Sequence, residues 1–134
     1  MADDERRLIE AIFDGDADTT RALVRTLPDE RAHRVMLGAF TLAVHRQFPE
    51  DYTPQHVSAF VADLRRRMEE GDKLKPMPTE ALIRSALDEP ELRQGVDLQD
   101  AVNAYLAVTH AYGRDHKLRG LDRDEFVKEV LDAV

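Results

Sequence analysis

Cysteine is absent from the 134 residues, and so is tryptophan. Without thiols there can be no disulfide, no thiolate metal site and no cysteine nucleophile, which fits a reducing compartment. Glycine and proline are sparse, six of each, and apart from Gly38 they fall between runs of Ala, Leu, Arg and Glu rather than inside them. No segment alternates apolar and polar residues as a half-buried strand would, so sheet architectures have no support. No stretch approaches the roughly 18 apolar residues that span a bilayer. The opening MADDERRLIEAIF is acidic and lacks the apolar core of a secretory leader, so the expected location is the cytoplasm. Catalytic and cofactor signatures are missing as well: there is no GxSxG, P-loop, GxGxxG or HExxH.

What the chain has in abundance is charge. Charged residues make up 34%, with a formal net charge of −8. A chain this acidic repels phosphate backbones unless its cations gather on one face. The densest basic run, Arg65, Arg66 and Arg67, is followed by Glu69, Glu70 and Asp72 and reads as a solvated helix end, so nucleic acid is not an expected partner. Arginine outnumbers lysine 15 to 4, which points to a GC-rich bacterial genome. Hydrophobic residues, at 43%, suffice for one compact core without a metal or disulfide staple.

The spacing of apolar residues predicts helices throughout. The first covers about 3–13, with Leu8, Ile9, Ile12 and Phe13 as its stripe and Gly15 just past its end. A second, short helix is expected over 19–27 with Asp18 as N-cap. The third, 29–48, is apolar around most of its circumference and should be central; Gly38 within it implies a closely packed neighbour. Thr53 and Pro54 open a fourth helix that Gly71 ends, and Thr79 and Glu80 begin a fifth. Asp97 caps a sixth, very apolar helix that Gly113 stops, and Asp122 caps the last. The fold expected is an all-α, single-domain bundle of six or seven helices over 1–134, built around two central apolar helices.

Three pairs of segments echo one another in order: TTRALVRTL (19–27) with TEALIRSAL (79–87), LAVHRQF (42–48) with LAVTHAY (106–112), and AFVADL (59–64) with EFVKEV (125–130). Two readings follow. Either a three-helix unit is duplicated as 19–70 and 79–134 with pseudo-twofold symmetry and 1–15 as an extra helix, or helical segments rich in Ala, Leu and Arg match by composition.

Asp14, Asp16 and Asp18 begin like an EF-hand calcium loop. That loop needs glycine at its sixth position and a bidentate glutamate at its twelfth. Here Thr19 and Arg25 stand there, so a helix join explains the stretch better. Residues 119–130, with Gly120 and Glu125-Phe126, resemble the exit half of a degenerate EF-hand, but the preceding positions include Lys117 and Arg119. No metal or cofactor is therefore expected. His33, His45, His56, His110 and His116 form no zinc spacing.

Two functions remain. The first is a non-catalytic, acidic adaptor or interaction module that binds a basic protein partner or self-associates. The alternative is a sensor or enzyme with a polar-lined pocket between the helices around 29–48 and 97–112, where His45, Asn103 and His110 are the candidate residues.

Overall fold

The computed structural model describes residues Ala2–Val134, with side chains from Asp3 onward. Seven α-helices follow in order: α1 (Ala2–Asp14), α2 (Ala17–Thr26), α3 (Asp29–Gln47), α4 (Pro54–Arg67), α5 (Pro76–Leu87), α6 (Leu98–Asp115) and α7 (Gly120–Ala133). Short 3₁₀ turns lie at Gly71–Lys73 and Pro90–Arg93. Among the described residues there is no strand, and no helix is long and apolar enough to cross a membrane.

The two apolar helices are central, as expected. α3 and α6 pack on each other, and between them they touch α1, α2, α5 and α7. Both contribute buried alanines, Ala39 and Ala43 from α3 and Ala101, Ala104 and Ala111 from α6, and small side chains let helix backbones approach. Phe40 and Tyr105 meet across this contact with ring centroids 5.0 Å apart. Gly38 has the close neighbour that its position implies. A Cβ there would lie 2.9 Å from a Val134 methyl and 3.3 Å from a Val130 methyl, so the glycine admits the end of α7. A second cluster, Phe13, Tyr112 and Phe126, ties α1, α6 and α7 together.

Several boundaries differ from expectation for physical reasons. The N-cap of α2 is Asp16, not Asp18. Its carboxylate accepts from the Thr19 N–H at 3.1 Å and from the Thr19 hydroxyl at 2.6 Å. Asp18 sits in the first turn, where a carboxylate suits the helix dipole, and pairs with Arg21 at 2.6 Å. α5 begins at Pro76, ahead of Thr79, because Pro76 and Pro78 occupy a first turn whose N–H groups have no helical partner anyway. α6 does not stop at Gly113 but runs to Asp115, and the chain reverses at Lys117, which takes φ 52°. α7 starts at Gly120 rather than at an Asp122 cap, and its N-cap residue, Arg119, offers no side-chain bond.

The order of short, long and amphipathic helix recurs along the chain, yet the neighbours of α2 and α5 differ. α5 packs chiefly on α3, α4 and α6, whereas α2 packs on α1 and α3.

Candidate functional site

One face of α6 is left partly open. Asn103, Leu106, Ala107 and His110 recur at spacings of three and four and so share that face. Opposite them stand Ala11 and Ile12 of α1, Ala17, Thr20 and Arg21 of α2, and Met68, Glu70, Lys73 and Leu74 from the segment after α4. Together they enclose a groove of about 400 Å³.

Two glycines shape it. Gly15 turns the chain between α1 and α2 with φ 69°, and the Asp16 N–H returns to the Ala11 carbonyl at 3.0 Å. That turn lets α2 fold back rather than extend α1 across the gap. Gly71 lies so close to the end of α4 that a Cβ would stand 2.0 Å from the Arg65 carbonyl oxygen. Arg65 Nε in turn donates to the Gly71 carbonyl at 3.1 Å. This doubling back seats Leu74, 1% exposed, beneath the groove.

Several polar groups along the lining already have local partners. Asn103 accepts from Gln99 Nε2 at 3.0 Å, Thr20 donates to the Asp16 carbonyl at 2.8 Å, and Lys73 pairs with Glu70 at 3.1 Å. His110 is the exception. Its Nδ1 lies 3.0 Å from both the Ile12 and Phe13 carbonyl oxygens. Carbonyls only accept, so Nδ1 carries a proton and caps the last turn of α1. What remains unclaimed is mostly apolar: Ala11, Ile12, Ala17, Met68, Leu106 and Ala107. The arrangement can hold apolar groups, with the Asn103 amide N–H groups and His110 Nε2 as its polar contacts. Among the described residues no group of three or more His, Asp or Glu could hold a metal ion.

Of the three residues singled out in sequence, the structure brings Asn103 and His110 to one groove. His45 is exposed near the end of α3 and is not part of it. The groove is not between α3 and α6, whose facing sides are filled by the core; no residue of α3 lines it. Asp14, Asp16 and Asp18 are engaged separately, by Arg123, Thr19 and Arg21.

Two polar clusters had no sequence signal beyond their residue types. Glu5, 5% exposed, is gripped by Arg31 through bonds of 2.6 and 3.0 Å, which join α1 to α3. Tyr52 shares its hydroxyl between Asp88 and Glu89, and Arg84 holds Glu89 through bonds of 2.8 and 2.7 Å. Burial and these two carboxylates push the Tyr52 phenol well above its usual range, and the Arg84 bonds hold Glu89 below the usual carboxylate range. These contacts pin the loop before α4 to the end of α5, a structural task.

No family model, curated protein or solved structure matches the chain. The functional reading therefore rests on the groove itself.

Proposed function

We propose that the protein is a non-catalytic adaptor that binds a basic partner protein by accepting the apolar stripe of an amphipathic segment in the groove along α6. The carrying observation is an apolar surface groove whose surroundings are acidic. Asp16 and Asp18 lie beside Ala17, and Glu69, Glu70 and Asp72 surround the 3₁₀ turn; all five are exposed. The cations at the edge, Arg21 and Lys73, pair with Asp18 and Glu70, which leaves Asp16, Glu69 and Asp72 as the net acidic groups. Apolar anchors with flanking lysines or arginines complement this pattern, in the manner of a helix laid in a groove. Against a net charge of −8, such a partner is also steered toward the protein over long range. The absence of cysteine and the preference for arginine favour a bacterial cytoplasm as the setting.

A lysine-rich peptide with leucines at helical spacing tests the reading against its scrambled counterpart. The patterned peptide should bind saturably and shift the amide resonances of Ala11, Leu106 and Ala107. Equal binding of both peptides, abolished by salt, would reduce the effect to general charge attraction and overturn the proposal. A second reading is favoured by one observation: the volume falls within the roughly 300–1,000 Å³ of small-molecule sites, with His110 and Asn103 as polar anchors. Saturation of the groove by a short alkyl ligand, with the patterned peptide excluded, would select it.

A further inference from the structure

On the far side of His110 lies a second, smaller hollow of about 270 Å³ where the chain turns from α6 into α7. Its charge is opposite to that of the molecule. Arg114, Lys117, Arg119 and Arg123 line it together with His110, and the one carboxylate in the lining is Asp14. Asp14 is already bound by Arg123 at 2.8 Å. Asp115, which could have neutralised the cluster, is turned to Arg67 at 2.9 and 3.2 Å and touches Arg114 only at 3.4 Å. Asp122 and Glu125, early in α7, do not line the hollow.

Four cations drawn together in a chain of net charge −8 repel one another unless something negative joins them. Lys117 and Arg119 are exposed and have no carboxylate partner among the described residues. Arg123 is fixed by bonds from Nη2 to the Glu10 carbonyl at 2.7 Å and to Asp14, and it lies over the Phe13 ring at 5.3 Å. Its Nε is buried and has no acceptor among the described residues. The turn that carries Lys117 is closed by N–H bonds from Lys117 to the Arg114 carbonyl at 3.2 Å and from Leu118 to the Gly113 carbonyl at 2.9 Å. The backbone carrying these cations is thus held by helix ends and a closed turn, and Arg123 is fixed by its own bonds. The positive end of α7, which Arg119 leaves without a side-chain cap, begins beside them.

We propose that this hollow binds a small doubly charged oxyanion of the phosphate class, either free phosphate or the head of a phosphate monoester. Guanidinium groups match phosphate oxygens in pairs, and Lys117 adds a point charge. The volume admits a phosphoryl head together with a small ester substituent. The site shares only His110 with the groove and stands or falls independently of partner binding.

Titration of the intact protein with inorganic phosphate and with phenyl phosphate, followed by amide resonances at constant ionic strength set with sodium chloride, tests it. Saturable shifts confined to residues 113–123 are expected. Tighter binding of phenyl phosphate would mark an ester as the ligand, and equal binding free phosphate. The exposed double variant K117N/R119A should bind at least about tenfold more weakly, the scale of one lost charge-assisted hydrogen bond. Asparagine suits the left-handed backbone at position 117, so the fold is retained and an unchanged melting midpoint verifies it. Shifts that chloride reproduces, or that survive in the double variant, would overturn the proposal.

Discussion

Gly113 and Gly38 sit inside the two central helices and look alike in sequence, but they answer to different neighbours. A Cβ at Gly113 would stand 2.5 Å from the Phe13 ring, which is itself wedged against Phe126. A Cβ at Gly38 would meet a methyl of Val134 at 2.9 Å and one of Val130 at 3.3 Å. An aromatic ring in a filled core yields poorly, whereas the methyl of a partly exposed valine yields more easily. Gly113→Ala should therefore destabilise by about 1–3 kcal/mol, the cost of overpacking. Gly38→Ala should cost less, because a gain of up to about 1 kcal/mol in helix propensity offsets part of the shift of Val134 and Val130. Denaturant midpoints that move together would contradict this. The same contrast explains one misplaced boundary. Glycine near a helix end signals a stop, and only the Phe13 ring, distant in sequence, reveals that Gly113 is a contact point. Charge at single residues gives a second expectation. Bonds from Arg67 hold Asp115 below the usual carboxylate range, as bonds from Arg84 hold Glu89. With native values depressed, the unfolded chain takes up more protons as pH falls past about 4, so the stability these pairs contribute is present above that pH and drains below it. The acid-side loss should be shallower in Arg67→Ala; parallel pH profiles would refute the assignment.

Among elements, the helices themselves were legible because apolar residues recur at helical spacing, and their starts were legible where the cap was unambiguous. Thr53 and Asp97 cap α4 and α6 as the sequence implies. At α2 the sequence pointed to Asp18, but the turn at Gly15 brings Asp16 within reach of the Thr19 N–H instead. Asp16→Ala should lower the melting midpoint more than Asp18→Ala, since it removes bonds to both the N–H and the hydroxyl of Thr19, while Asp18 only pairs with an exposed Arg21. Equal effects would return the cap to Asp18. The groove was half legible. Asn103 and His110 stood out as polar residues on an apolar helix, and seven residues of spacing put them on one face. The opposite wall was not legible, because it comes from three separate segments that only the turns at Gly15 and Gly71 bring together. His45 was grouped with them by its place near a helix end, which says nothing about the face it occupies.

The whole molecule combines a negative surface, an apolar groove with acidic surroundings and a cationic hollow on the other side of one histidine. Composition announced the first and hid the other two, since a net charge averages over local segregation. The remaining large apolar side chains that reach solvent, Met77, Leu98 and Leu121, belong to neither hollow, so substitutions there serve as surface controls. Partner binding along α6 makes one demand that general acidity does not: it must depend on Leu106, half-buried on the groove wall, and not on Leu121, which is 79% exposed. The most direct measurement is the dissociation constant of the lysine-rich, leucine-patterned peptide for Leu106→Glu and for Leu121→Glu, at matched salt and with both proteins verified as folded. Both variants add the same charge, and that charge attracts the peptide. Binding to the groove requires Leu106→Glu to weaken the complex by about tenfold or more while Leu121→Glu leaves it unchanged or slightly stronger. Equal affinities for the two variants would contradict it.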